Sequence, residues 1–135
     1  MEIVLKNQPA EKQRLLEALE AFALEHHLSD KAVQAADLAL EEHLTNVLNY
    51  SFADDATHEI RVRFNCEGNS LQIEVEDDGR PFNPLEKPPV DVSMPLEQRP
   101  VGGLGIHLMR QFMDALDYRR EGGSNILRMT KRLDA

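Results

Sequence analysis

Glu42, Asn46 and Asn49 recur at i, i+4 and i+7 in the stretch "ALEEHLTNVLNYSF". On a helix turning about 100° per residue, that spacing sets one carboxylate and two amides in a single row. A carboxylate can accept the proton of an incoming hydroxyl, and an amide oxygen can be one of the oxygen ligands of a Mg²⁺ ion that keeps several waters. Taken alone, the row reads better as an exposed polar face with incidental amides. A second group lies in "VEDDGRPF", where Asp77 continues the parity of Leu71, Ile73 and Val75 and so projects from a strand end toward the apolar side. A carboxylate aimed there is costly unless it accepts hydrogen bonds, which the amino group of a bound base or a peptide can supply. Gly79 then permits a sharp turn and Pro81 stiffens the exit, although a turn with local side-chain caps is the plainer account. The third group is "VGGLGIHL", with Leu104 among Gly102, Gly103 and Gly105 just before a helical pattern. Glycines let backbone N–H groups approach an anion, and a helix N-terminus adds a favourable dipole. No G-x-x-x-x-G-K-[ST] run occurs and no strand precedes the glycines, so neither a Walker A loop nor a Rossmann fingerprint is present, and a flexible hinge is the alternative.

These groups need elements to hold them. "MEIVLKN" alternates Ile3 and Leu5 and predicts an edge strand ended by Pro9. Leu15, Leu16, Leu19, Phe22 and Ala23 recur at helical spacing and predict a first helix from Glu11 to about His27. Ser29 and Asp30 supply N-cap chemistry for a second, from about Asp30 to Tyr50, with Val33, Ala36, Leu40, Leu44 and Val47 as its core stripe. Ile60, Val62, Phe64 and Cys66, then Leu71, Ile73 and Val75, alternate on either side of "EGN" and predict a hairpin. Residues 83–101 carry five of the seven prolines and read as a long loop. Ile106, Leu108, Met109, Phe112 and Met113 predict a third helix running to Leu116, and "DYRR", Gly122-Gly123 and "NILRMTKRL" predict a closing hairpin. This order predicts a single domain over residues 1–135 with an α+β fold. The expected form is a two-layer sandwich, an antiparallel or mixed β-sheet with about three helices on one face.

Composition narrows the function. A formal net charge of −9, from 24 acidic and 15 basic residues, argues against a general nucleic-acid or anionic-membrane binder, because phosphate neutralisation needs clustered cations. No direct nucleic-acid or membrane partner is expected. The lone Cys66 excludes an internal disulfide framework, the Met1 end shows neither an n-region nor an apolar h-region, and no apolar run approaches the roughly 20 residues that cross a bilayer. A cytoplasmic protein is expected. His26, His27, His58 and His107 lack zinc-type spacing with the cysteine, and His43 falls off the Glu42–Asn46 row, as a packing or surface residue would. Arg119, Arg120, Arg128, Lys131 and Arg132 concentrate positive charge on the last hairpin, either as a solvated face or as a docking patch for an acidic partner.

Taken in order, the acidic and amide-bearing helix, the D-x-G turn and the glycine-rich loop opening a helix resemble the N, G1 and G2 boxes of the GHKL ATPase superfamily. With "EEHLTN", "DDGRPF", "GGLGIHLMRQFMD" and a final "GGSNILRMTKRL" in one short chain, the sequence is most similar to the anti-sigma-factor serine kinases of bacterial partner-switching systems. The resemblance covers nearly the whole chain. It implies ATP and Mg²⁺ as cofactors, Glu42 as general base, Asn46 as the Mg²⁺ ligand, Asn49 as pocket lining and Asp77 as the partner of the adenine amino group. It also implies that Gly79 makes room for the base, with Pro81 in the place of a second glycine. Gly102, Gly103, Leu104 and Gly105 would form the phosphate loop under a lid made from residues 83–101, and Ser124 would stand where many members have a threonine near the adenine. The implied partners are an anti-anti-sigma (STAS-type) antagonist phosphorylated on serine, a sigma factor or equivalent client, and a second copy in a homodimer. Two further readings stand beside the kinase: a nucleotide-gated binding module with little or no kinase activity, and the ATP-binding part of a histidine kinase or gyrase-like enzyme. The last would need a phosphoacceptor helix or a transducer domain, for which the chain has no room.

Overall fold

The computed structural model describes residues 1–86 and 109–133. Strand β1 (Glu2–Lys6) leads through a 3₁₀ turn, Pro9–Glu11, into helix α1 (Lys12–His26). Proline suits the start of such a turn because its fixed φ is already helical and its missing N–H would find no partner there. α1 stops where His27 adopts a left-handed φ of 57°, and the Leu28 N–H returns to the Ala23 carbonyl at 2.9 Å. Ser29 then caps α2 (Asp30–Tyr50), its Oγ accepting the Ala32 N–H at 3.1 Å, while Asp30 sets a carboxylate at the positive end of the helix dipole.

Strands β2 (Glu59–Glu67) and β3 (Ser70–Asp77) form the first hairpin, and β4 (Ala115–Glu121) and β5 (Ser124–Arg132) the second. Gly122 and Gly123 both have positive φ, 58° and 82°, as the tight two-residue turn between twisted strands requires. The described strands form one sheet in the order β1-β2-β3-β5-β4, with every neighbouring pair antiparallel. Of the two sheet types expected, the antiparallel one is realised.

Alternation along the strands decides the layers. Ile60, Val62 and Phe64 of β2, Leu71, Ile73 and Val75 of β3, and Leu127 and Met129 of β5 are buried on one face. Leu15, Leu19 and Phe22 of α1 and Ala36, Leu40, Leu44 and Val47 of α2 belong to the same core, with Met109 and Met113. Each such leucine, isoleucine or phenylalanine contributes about 1.5–3 kcal/mol by leaving water. The opposite face is polar, and at its centre Glu74 meets Arg63 at 3.3 Å, Arg119 at 3.2 Å and Arg128 at 2.9 Å. Arg119 and Arg128, two of the five cations of the last hairpin, are therefore paired on this face.

One predicted element changes. Residues 109–112 are helical, but Ala115 and Leu116, expected to end that helix, open β4. Leu116 pairs with Met129 and Tyr118 with Leu127, so the period of two wins over the helical period once β5 is alongside. The start of this helix at Ile106, the glycines at 102, 103 and 105 with Leu104, and loop residues 87–101 lie outside the described residues.

Candidate functional site

β3 delivers Asp77 to the end of the sheet, opposite Ile60 of β2 and Asn125 of β5. Its parity with Val75 holds, and the carboxylate is 2% exposed. Oδ1 accepts the Gly79 N–H at 2.9 Å and the Asn125 amide at 3.0 Å. Burial pushes the carboxyl above the ordinary aspartate range, against the opposing pull of Asn125, the Gly79 N–H and the Ser51 hydroxyl, while neighbouring Asp78 adds to the rise. Although the Ser51 hydroxyl lies close enough to favour the charged form, it makes no hydrogen bond of good geometry with the described residues. A buried carboxylate with one oxygen doubly donated to, at a strand end, is a preset acceptor for a ligand donor.

Gly79 has a different reason from the one its sequence context suggests. Its φ is not in the left-handed region. A Cβ there would stand 2.3 Å from the Ser51 carbonyl oxygen and 2.8 Å from Ser51 Cβ. Glycine is required because the turn packs against the C-terminal end of α2, and Arg80 fastens the same seam: its N–H donates to the Ser51 carbonyl at 2.8 Å and its Nε to the Tyr50 carbonyl at 2.7 Å. The turn that carries Asp77 is thus fixed to the helix that carries Glu42 and Asn46. Pro81 follows exposed, between Arg80 and Phe82, whose ring lies 5.5 Å from that of Tyr50.

Ser124 does not share the Asp77 face. Asp77 pairs with Asn125, and since successive residues of a strand face opposite sides, Ser124 points away from it. Asn125, and not Ser124, is the β5 residue that bonds the Asp77 carboxylate. Its Nδ2 donates to Asp77 Oδ1 and to the Arg80 carbonyl at 2.8 Å, and its Oδ1 accepts from the Phe82 N–H at 3.0 Å, Arg120 Nη1 at 3.1 Å and the Tyr118 hydroxyl. A backbone N–H and a guanidinium can only donate, so the amide orientation is fixed. Arg120 also donates to the Gly79 carbonyl at 2.8 Å. Asn125 was legible only as the second residue after the Gly122-Gly123 turn, once the register of β5 against β3 is known.

On α2 the predicted row separates by depth. Asn46 is fully buried, Glu42 half-buried and Asn49 exposed. Going back from the Ser51 seam at 1.5 Å per residue, Asn49, Asn46 and Glu42 stand roughly 3, 8 and 14 Å along the helix axis. Both Asn46 amide atoms lack a hydrogen-bond partner among the described residues. A buried primary amide with neither end satisfied is costly in a fold that otherwise pairs its polar groups, and such an exception calls for a ligand or ion. An amide oxygen in this position suits a hard cation with oxygen ligands, so the donor set fits Mg²⁺ beside phosphate. His43 is buried too, with Nδ1 unpartnered, and burial depresses its pKa to about 4, so it is neutral at pH 7. It is a packing residue at the border between core and row. Among the described residues no cluster of three or more His, Cys, Asp or Glu could hold a metal, and no helix is long and apolar enough to cross a membrane.

The model of the histidine kinase-like ATPase domain matches residues 5–131 of this chain. The serine-protein kinase RsbW of Bacillus thuringiensis (strain Al Hakam) is 33% identical over 103 residues, which are 73% of this chain and 63% of that protein. The serine/threonine-protein kinase BtrW of Bordetella bronchiseptica is 28% identical over 112 residues, 83% of this chain and 79% of that one. The chain thus spans 63% of the length of the RsbW relatives it matches. In three dimensions it resembles the structure of the RsbU and RsbW domains of Rv1364c from Mycobacterium tuberculosis, with a TM-score of 0.71 at 15% identity, covering 98% of this chain and 31% of that one. The blue-light activated histidine kinase of Erythrobacter litoralis EL346 follows with a TM-score of 0.59 at 24% identity, covering 78% of this chain and 32% of that one. At these identities the structural likeness speaks for the fold.

Proposed function

The chain belongs to the histidine kinase-like ATPase domain family, and from that premise we propose that it is an ATP-dependent serine protein kinase and anti-sigma factor of a bacterial partner-switching system. The kinase names of the relatives that match most of this chain support the activity. The observation that carries the site is Asn46, fully buried with an unsatisfied amide one helical turn from the half-buried Glu42. Asp77 is the acceptor for the adenine amino group, held in aim by Asn125 and the Gly79 N–H. Asn46 would hold Mg²⁺, with Asn49 at the rim, and Gly102, Gly103, Leu104 and Gly105 would meet the phosphates. When bound, MgATP supplies the phosphoryl group and the cation that offsets its charge. Glu42 Oε accepts the proton of the acceptor serine hydroxyl.

The proposed acceptor is an anti-anti-sigma (STAS-type) antagonist, and the client held in its absence is a sigma factor or an equivalent protein, with the kinase working as a cytoplasmic homodimer. Resemblance across the N, G1 and G2 boxes supports this assignment. Calorimetric titration of ATP with and without Mg²⁺ tests the Asn46 role. Asn46→Ala should lose the Mg²⁺-dependent gain in affinity while its apo melting temperature holds, because the amide removed makes no internal hydrogen bond. An unchanged Mg²⁺ dependence in the folded variant would contradict the assignment.

A further inference from the structure

We propose that His58 is a positioning residue of the nucleotide site and works as an imidazolium clasp, tying the loop after α2 to the Asp77–Gly79 turn, so that nucleotide affinity falls as His58 loses its proton. The inference rests on the nucleotide reading of Asp77. Two chain segments meet where Gly79 packs on Ser51: the turn after β3, and the segment that leaves α2. His58 joins the same two segments a second time. Its Nε2 lies 2.7 Å from Asp54 Oδ1 in the loop, and its Nδ1 lies 3.3 Å from Asp78 Oδ1, on the residue between Asp77 and Gly79. Phe52 stacks on the ring at 4.4 Å with planes 10° apart, and the His58 backbone N–H donates to Asn7 Oδ1 at 2.8 Å, which holds the main chain that carries the ring.

The chemistry of the ring makes this clasp proton-dependent. Both ring nitrogens face carboxylates, and only the imidazolium has two N–H groups to give them. A neutral imidazole carries one, so one carboxylate would then face a lone pair and let go. Among the described residues the charged groups that face the ring are Asp54 from the loop and Asp78 from the turn, while the uncharged Asn7, just past β1, accepts from the His58 main chain. The Asp54 hydrogen bond foremost, with Asp78 adding to it, raises the His58 pKa above 6.5. The clasp therefore keeps its proton to higher pH than an ordinary histidine would. Asp78 is exposed, so the tie is that of a surface ion pair, and its loss should weaken nucleotide binding by about two- to fivefold.

The test is ADP affinity by calorimetry at several pH values between 6 and 9, on the full chain, for wild type, His58→Gln and Asp78→Asn, with the His58 pKa read by NMR. Taking the ratio of wild type to variant cancels the titration of the ADP phosphate itself. Wild type should bind about two- to fivefold better than either variant below the His58 pKa and converge with them above it, at a midpoint equal to the NMR value. A ratio that stays flat with pH overturns the clasp while leaving the nucleotide reading intact. If ADP binds none of the three proteins at any pH, the nucleotide reading itself is wrong and the clasp falls with it.

Discussion

Replacing Asp77 by Asn should move binding and stability in different directions. Asn keeps the Oδ1 that accepts from Gly79 and Asn125, so the turn and its link to β5 survive. What changes is the second oxygen, which becomes an NH₂ group and presents donors where the adenine amino group also donates. Losing a hydrogen bond to a charged acceptor costs about 1.5–3 kcal/mol, which is roughly a ten- to hundredfold loss of affinity. The apo protein should meanwhile hold or gain stability. Burial lifts the Asp77 pKa in the folded state above its unfolded value, so the unfolded chain gives up this proton more readily, and near pH 7 the charge disfavours folding. The assay is calorimetry with ATP and ADP beside thermal unfolding of the apo proteins. A folded Asp77→Asn protein with wild-type affinity for both nucleotides would refute the adenine assignment. A large drop in melting temperature would refute the claim that the carboxylate is kept for binding.

Two further outcomes follow from the packing. His43 has a folded pKa of about 4 against about 6.5 unfolded, so the unfolded chain binds a proton that the folded chain refuses. Its contribution should cost about 3 kcal/mol of stability as pH falls from 6.5 to 4, and His43→Leu should flatten that part of a chemical-denaturation series. Gly79→Ala drives a Cβ to 2.3 Å from the Ser51 carbonyl, so the seam must open; unfolding should be easier by about 1–3 kcal/mol and nucleotide binding should weaken with it.

Much of this arrangement was legible from local pattern. The parity of Leu71, Ile73 and Val75 carried Asp77 inward, and the helical wheel set Asn46 beside Glu42, because period and face are properties of a short segment. Non-local facts were not legible. Ser124 and Asn125 cannot be told apart without the register of β5 against β3, which sets together residues 48 apart in sequence at the Asp77–Asn125 pair. Gly79 looks like a turn glycine until the end of α2 arrives against it. Ala115 and Leu116 suit a helix or a strand equally, and only their partners Thr130 and Met129 decide. His58, with no zinc-type spacing, carried no local signal, since Asp54 and Asp78 reach it from segments on either side of β2 and β3.

The central claim is that this chain moves the γ-phosphoryl group of ATP to a partner serine with Glu42 as base. It is tested most directly by following labelled phosphate from ATP to a co-purifying antagonist protein, with wild type and Glu42→Gln compared at saturating MgATP. Glutamine matches the size of glutamate and leaves Asn46 and Asp77 in place, so nucleotide affinity should hold while transfer falls by about a hundredfold or more. Transfer at the wild-type rate by Glu42→Gln would remove Glu42 as the base. A wild-type protein that labels no partner, yet binds one differently with ATP and with ADP, would contradict the kinase and leave a nucleotide-gated binding module.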